Sequence, residues 1–353
     1  MRVGFRGRPW AGLDVGSYSV KLLARQSGAH GGRYWIAEAP IPRNEPDPER
    51  PVPPESVAQA IGECLSRVGI SPNALRGISM AISGPEVFVK QIAMPPLEDR
   101  EVGSALRFEA RKHLPFDPEG MLIDFQILGR RPDDSRLDVL LAAVPGERVQ
   151  SHLAPLGLLG VEPHVLDAAP LALTNAVLEG TGGNGPTRVL LDIGYVSSHL
   201  TLYQPGEPYF SRRLEFGGHH LTRVLAEAKG TSLQEAEHWK LEAGNRDPGS
   251  ESDWESTELR AILACLRDEL VKELRRSFAF YRTLGRLPEP LELWVSGGSA
   301  RLPGLAQRLS ELIETPVRVF NPLRSLGGEA LGDVQPSDGP QFCQAFGLAL
   351  RTS

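Results

Sequence analysis

The residues best placed for chemistry lie in a word that the chain spells twice. Gly12-Leu13-Asp14-Val15-Gly16 is followed by Ser17, Tyr18 and Ser19, then by the apolar run Val20-Lys21-Leu22-Leu23-Ala24. Leu190-Leu191-Asp192-Ile193-Gly194 is followed by Tyr195, Val196, Ser197 and Ser198, then by His199-Leu200-Thr201-Leu202-Tyr203. Each copy reads as a β-hairpin whose turn carries the Asp and the Gly. Two such turns far apart in one chain point to two similar half-molecules facing one ligand. Backbone amides in a tight turn bind anions, and glycine permits close approach. The amides of Gly16 to Ser19 and of Gly194 to Ser198 therefore make two cradles for phosphate. Asp14 and Asp192 are hard oxygen ligands suited to Mg2+ through its waters, or groups that orient an attacking water. Lys21 is either a charge aimed at the phosphates or a strand-edge charge.

Two further stretches complete the constellation. Gly297-Gly298-Ser299 follows an apolar strand, and a bare glycine pair lets a flat base or a ribose lie against the backbone; the plainer reading is a strand-to-helix turn. Glu237 and Lys240 stand three apart on one helical face. They are either an exposed helix pair or a clamp for ribose hydroxyls and one side of a base.

The elements that position these residues follow from periodicity. Residues 11–16 and 19–25 form the first hairpin, with a third strand over 34–39. A helix over 54–68 repeats Val57, Ala60, Ile61, Cys64 and Leu65 at intervals of three and four. Strands follow over 78–82 and 87–92. A charged block, poorer in strand than its flanks, runs from 86 to 160: a helix over 98–113, strands over 122–128 and 137–144, and a helix over 147–159. Strand character resumes over 161–166, and a helix spans 170–178. The linker 180–186 precedes the second copy of the word. Strands over 200–204 and 209–215 lead to helices over 219–229 and 232–241. The longest helix, 257–284, carries Leu259, Ile262, Leu263, Leu266, Leu270, Leu274 and Phe278 on one stripe. A strand at 291–295, a helix at 305–313, a strand at 317–320 and a closing helix at 342–350 end the chain. Hairpins followed by helices, twice over, give an α/β class. In the inserted block Phe108, Leu114 and Phe116 read as core. Trp239 reads as packing, and His219-His220 as surface.

Composition narrows the function. The 353 residues are 41% hydrophobic with a net charge of −6, which gives room for two lobes and weighs against nucleic acid as the partner. Cys64, Cys265 and Cys343 are isolated, so neither a zinc site nor a disulfide scaffold is read, and a reducing, cytoplasmic setting is expected. No apolar run reaches membrane-spanning length, and no signal peptide is read.

At its four phosphate and nucleoside places the sequence resembles the actin/Hsp70/sugar-kinase superfamily. Asp14-Val15-Gly16-Ser17 with Lys21 resembles its first phosphate motif, Asp192-Ile193-Gly194 the second, Ser296-Gly297-Gly298-Ser299 the adenosine motif, and Ala236-Glu237-x-x-Lys240 the nucleotide-clamping helix. Ala93-Met94-Pro95-Pro96, Arg107-Phe108-Glu109-Ala110, His113-Leu114-Pro115-Phe116 and Asp124-Phe125 resemble the inserted subdomain of the PilM family of actin-like type IV pilus assembly proteins. Glu273-Leu274-Arg275-Arg276-Ser277-Phe278, Asn321-Pro322 and Ala345-Phe346-Gly347-Leu348-Ala349-Leu350 are similar to that family as well.

The resemblance implies an actin-like (ribonuclease H-like) bilobed fold with an FtsA-type insertion. Subdomain 1A would cover 1–85 and 161–186, inserted 1C 86–160, 2A 187–216 and 287–353, and 2B 217–286. It implies ATP and Mg2+ between the lobes, held by Asp14, Gly16, Ser17, Tyr18, Ser19, Lys21, Asp192, Gly194, Ser197, Ser198, Glu237, Lys240, Gly297, Gly298 and Ser299. Asp14 and Asp192 would be both the metal ligands and the catalytic groups of an at most slow ATPase. The implied partner is the N-terminal cytoplasmic tail of PilN, extended in a groove between 1A and 1C. Pilus motor ATPases are a further partner, and the inner membrane is reached only through PilN. Two departures stand out. Tyr195 follows the second glycine where the family has a small residue, and Ser198 replaces its usual Thr. Two enzyme or secretion readings compete: a small-molecule kinase of the same superfamily, for which no dedicated base is visible, and a GspL-like secretion component, which continues into a transmembrane helix.

Overall fold

The computed structural model describes residues 7–26, 32–43, 50–115, 117–130, 135–180, 188–203, 209–244, 256–283, 292–326, 328–331 and 336–351. Phe116, the linker after residue 180, and much of the stretches 43–54 and 245–256 lie outside them.

The chain opens with an antiparallel meander, β1 (Trp10–Val15), β2 (Ser19–Gln26) and β3 (Gly32–Pro40). Helix α1 (Pro54–Arg67) starts on Pro54, where a missing N–H costs nothing. It stops at Gly69, whose φ of 65° lies in the left-handed region that glycine adopts freely. β4 (Gly77–Ile82) then pairs parallel to β1.

β5 (Phe88–Met94), α2 (Asp99–His113), β6 (Met121–Arg130) and β7 (Leu137–Pro145) form a separate unit, a sheet of order β5-β7-β6 with α2 against one face. The block is thus built on strands, which corrects its strand-poor reading. Val102, Leu106 and Ala110 of α2 are buried on that sheet together with Leu114, whereas Phe108 is 78% exposed and is not core.

Helix α3 (Gly146–Leu158) returns to the first sheet, where it buries Leu156 among the α1 residues. β8 (Val165–Ala168) adds parallel to β4, starting later than the apolar run suggests, and α4 (Ala169–Gly180) follows.

The second half repeats the plan with β9 (Arg188–Ile193), β10 (Ser198–Tyr203) and β11 (Phe210–Leu214) as a meander. Next come α5 (Gly218–Lys229), α6 (Leu233–Gly244), α7 (Thr257–Cys265), a π-helical turn Leu266–Val271 and α8 (Lys272–Thr283). Ser232 and Glu235 form a capping box at the start of α6, each side chain accepting the other's backbone N–H. The π turn has a cause in the sequence. Ile262, Leu266, Leu270, Leu274 and Phe278 recur every four residues, wider than the α-helical 3.6, so a regular helix would carry them off the core face. One wide turn keeps that stripe on the core.

β12 (Leu293–Ser296), α9 (Leu305–Ile313) and β13 (Val317–Val319) finish the second sheet. β14 (Gly328–Leu331), which periodicity did not reveal, pairs parallel with β3, and α10 (Cys343–Ala349) closes the chain.

Sheet orders β14-β3-β2-β1-β4-β8 and β11-β10-β9-β12-β13 show the duplication, since β3-β2-β1-β4-β8 and β11-β10-β9-β12-β13 have the same directions throughout. α4 and α10 fill the space between the sheets. Leu173, Ala176, Phe342 and Phe346 are buried there with Leu23 of one sheet and Leu190 of the other. β1 and β9, and therefore the two turns that follow them, are placed by packing on this shared layer.

Candidate functional site

The two turns close in the same way. Gly16 N–H donates to the Ser19 carbonyl at 3.1 Å, and Gly194 N–H to the Ser197 carbonyl at 3.2 Å. A Cβ on Gly194 would stand 2.8 Å from the Ser197 oxygen, which is why the turn needs glycine. Asp14 ends β1 as the register partner of Lys21, and Asp192 ends β9 as the register partner of His199 on one side and Ser296 on the other. Each carboxylate is oriented by one donor. Gln344 Nε2 donates to Asp14 Oδ1 at 2.6 Å, and Ser296 Oγ donates to Asp192 Oδ1 at 2.6 Å. Lys21 Nζ lies 3.8 Å from Asp14 Oδ2.

Burial lifts both carboxyls above the ordinary range. Asp14 is raised against the pull of Lys21, with Glu38 adding to the rise. Asp192 is pushed up to about 6 by burial, opposed by the Ser296 hydrogen bond and increased by the charge of Asp14. A divalent cation relieves such a pair. Among the described residues no group of three His, Cys, Asp or Glu side chains is placed to hold a metal. The two carboxylates are donors of the kind Mg2+ takes, one or two carboxylates with phosphate oxygens and most of its waters kept.

In the second half Gly297 and Gly298 have different tasks. Gly297 has φ +89°, and a Cβ there would fall 2.3 Å from the Ile193 oxygen, so it lets the loop pack on β9. A Cβ on Gly298 would meet nothing within 4 Å, which leaves an open backbone face. Glu237 and Lys240 are buried, not exposed. Lys240 Nζ donates at 2.8 Å to Glu237 Oε2, to the Gly218 carbonyl and to Thr222 Oγ1. Those bonds use all three ammonium donors, so in this conformation the lysine braces α6 on α5.

Two sequence expectations change, and the departure at Tyr195 is placed. Ser198 does not face the cavity: its hydroxyl donates to the Phe216 carbonyl at 2.6 Å, fully buried. His219 and His220 are partly buried, the first against Tyr195 and the second stacked on Phe216. Tyr195 points into the cleft, its ring 5.1 Å from that of Tyr18.

The structure also adds residues that spacing missed. Ser19 Oγ donates to Glu38 Oε1 at 2.6 Å, and Gln341 Nε2 donates to Glu38 Oε2 at 2.7 Å. Arg301 holds the other end of Gln341 at 3.1 Å and Asp338 at 2.8 Å. A continuous polar path therefore joins the first turn to the loop after Gly298. Gln341→Ala is expected to cost about 0.5–1.5 kcal/mol, because Glu38 loses a hydrogen bond in a partly buried place where water can in part replace it. Urea unfolding reads this as a lower midpoint at constant slope; an unchanged midpoint would show that the path carries no stability.

Asp14, Gly16, Ser17, Tyr18, Ser19, Lys21, Asp192, Gly194, Ser197, Glu237, Lys240, Gly297, Gly298 and Ser299 all line one cavity of about 710 Å³, together with Glu38, His199, Gln341 and Gln344. That volume suits a drug-sized or nucleotide-sized molecule.

A family model for the type IV pilus assembly protein PilM matches residues 12–353. Among solved structures the chain is similar to that of a PilM–PilN type IV pilus biogenesis complex, with a TM-score of 0.79 and 27% identity over 97% of each chain. It shares its fold with MreB 5 of Spiroplasma citri bound to AMPPNP, at a TM-score of 0.50 and 13% identity over 98% of this chain and 96% of that one. The cell division protein FtsA of Rhizobium meliloti (strain 1021) is 25% identical over 251 residues, 59% of this chain and 55% of that protein. The FtsA of Bacillus subtilis (strain 168) is 24% identical over 205 residues, 53% of this chain and 46% of that protein. The chain spans about half the length of the curated relatives it matches.

Proposed function

The chain belongs to the PilM family of type IV pilus assembly proteins and has the actin-like ATPase fold, and on that premise we propose that it is an ATP-binding adaptor of the pilus assembly complex. The observation that carries this is the convergence of two matching turns, one from each sheet, on a single cavity. The turn amides that follow Gly16 and Gly194, whose own N–H groups close the turns, would hold the phosphates with Lys21. Gly297, Gly298 and Ser299 would take the nucleoside, with Glu237 and Lys240 as one wall. Asp14 and Asp192 would hold Mg2+ through its waters, and the metal would supply charge neutralisation along the phosphate chain.

The chain's own residues favour binding over turnover. Lys240 is fully engaged, and Gln344 and Ser296 each tie up one oxygen of an aspartate, so hydrolysis is expected to be slow.

The partner reading rests on the likeness to the PilM–PilN complex. The short cytoplasmic tail of PilN would lie extended between the first sheet and the inserted β5-β7-β6 unit, a known mode of peptide recognition. No helix among the described residues is long and apolar enough to cross a membrane. The adaptor would then meet the inner membrane from its cytoplasmic face by way of PilN, and would pass the state of the nucleotide toward the motor ATPases.

Nucleotide and peptide affinities are expected to be coupled reciprocally, by roughly 5- to 150-fold. Titration of a PilN-tail peptide with and without ATP–Mg2+, by calorimetry, measures the factor. Equal affinities would remove the coupling, and absence of peptide binding in both would remove the partner.

A further inference from the structure

Tyr18 stands two residues after the first turn glycine and Tyr195 directly after the second, and their rings meet across the cleft. The centroids are 5.1 Å apart at an interplanar angle of 48°. Both turns are anchored at the backbone beside the ring. The Tyr18 carbonyl accepts the Ile41 N–H at 2.9 Å, and Arg43 donates to the carbonyl of Ser17 beside it. Tyr195 is fixed from behind by the second half of the chain. Its carbonyl accepts the His219 N–H at 2.8 Å, the His219 ring packs edge-on at 5.6 Å, and the Lys240 ammonium lies 5.5 Å from its centroid. Gly217 lets α5 begin against this backbone, for a Cβ there would sit 2.4 Å from the Tyr195 oxygen. The backbone beside each ring is therefore tied to its own half of the chain, and the ring contact spans the two halves.

We propose that Tyr18 and Tyr195 form an aromatic latch that holds the two phosphate turns closed on each other and thereby sets how fast a bound nucleoside triphosphate leaves. This rests on the nucleotide reading of the cavity. A phosphate chain gripped by both turns must have the rings beside it, since both line the same cavity as Asp14 and Asp192. Release requires the turns to separate, and separation breaks the ring contact. The latch works through ring area and not through the hydroxyls. Burial and the nearby charge of Glu237 push the Tyr18 hydroxyl up to about 12 and raise that of Tyr195, so both stay neutral across the physiological range.

The test is a double-mutant cycle read twice on the full chain. The first reading is the release rate of a fluorescent ATP analogue by stopped-flow chase. Tyr18→Ala and Tyr195→Ala are each expected to speed release by about threefold to tenfold, the worth of one aromatic pair. The double variant should release no faster than either single one, and Tyr18→Phe and Tyr195→Phe should match the wild type. Additive effects, unchanged rates, or a loss reproduced by the Phe variants would overturn the latch. The second reading needs no ligand: melting of the empty protein should also be non-additive across the cycle, and additivity there overturns the ring contact itself. Non-additive melting in a protein that binds no analogue would instead overturn the nucleotide reading alone.

Discussion

Asp192→Asn is expected to abolish tight ATP–Mg2+ binding while making the empty protein more stable at neutral pH. The variant keeps an oxygen for Ser296 and fills the same volume, so folding is not at risk. What it removes is the charge that faces the cation, a loss of about 10- to 100-fold in affinity by analogy with removal of a metal-site partner. The stability gain follows from the sign of the shift. Asp192 has its carboxyl raised in the fold from 3.8 to about 6. Between those values the folded chain holds more protons than the unfolded one, so the residue makes stability fall as pH rises through that window. In full the rise is worth about 3 kcal/mol, and because the side chain keeps some access to water about 1–2 kcal/mol is expected. His199, its register partner on β10, acts in the opposite sense. Burial and Arg213 lower it from 6.5 to about 4, so the unfolded chain takes up the extra proton and stability is lost as pH falls from 6.5 toward 4. In the wild type the two slopes oppose each other. In Asp192→Asn the His199 slope is left uncovered, and stability should climb more steeply between pH 4 and 6.5. Urea midpoints at intervals across that range test it. A constant gap between the two curves would exclude Asp192 as the titrating group.

The hairpins, the inserted unit and the four site stretches were legible because their signals are local. Alternation gives strands, three-and-four spacing gives helices, and Asp-x-Gly gives the turns. Some misreadings had their answer in the same periodicity. Along β10 side chains alternate, so once His199 lines the cavity Ser198 must turn away, here to the Phe216 carbonyl. On α2 the buried positions are 102, 106 and 110, and residue 108 lies ~200° round the helix from 106. Phe108 belonged on the outside. Other features had no local signal. β14 is a four-residue strand paired with residues 32–35 at the far end of the chain, and a short edge strand is defined by its neighbour more than by its own composition. Glu38, Gln341 and Gln344 are ordinary polar residues on their own elements. Glu38 reaches Ser19 across the β2–β3 pairing, and Gln341 and Gln344 reach Arg301 and Asp14 because the closing segment that ends in α10 lies between the two sheets.

That placement of α10 gives the other large expected effect: Gly347→Ala should unseat the helix and, with it, the nucleotide site. A methyl group on Gly347 would overlap the Ala172 carbonyl oxygen at 1.8 Å and press on the Ala176 N at 3.2 Å. On the opposite face of the helix, a methyl on Gly12 of β1 would stand 2.0 Å from the Ala345 oxygen and 2.5 Å from the Ala349 N. α10 is therefore caught between α4 and β1 with backbone against backbone on both sides, and no side chain can rotate out of the way. Overpacking a core usually costs 1–3 kcal/mol; with rigid neighbours on both faces about 3 kcal/mol or more is expected. A bulk penalty alone would leave ligand affinity untouched in the molecules that remain folded. Here it should fall as well, because Gln344, one turn before Gly347, is the donor that orients Asp14. The matched control is Gly62→Ala in α1, also a helical glycine but with nothing within 4 Å of its would-be Cβ. There the added methyl removes glycine's backbone freedom at no steric cost and should raise stability by about 0.4–1 kcal/mol. Urea unfolding of the two variants, with ATP-analogue affinity measured on each, separates the readings. If Gly347→Ala shifts stability as little as Gly62→Ala, α10 is not wedged. If it loses stability but binds nucleotide as the wild type does, Gln344 does not position Asp14.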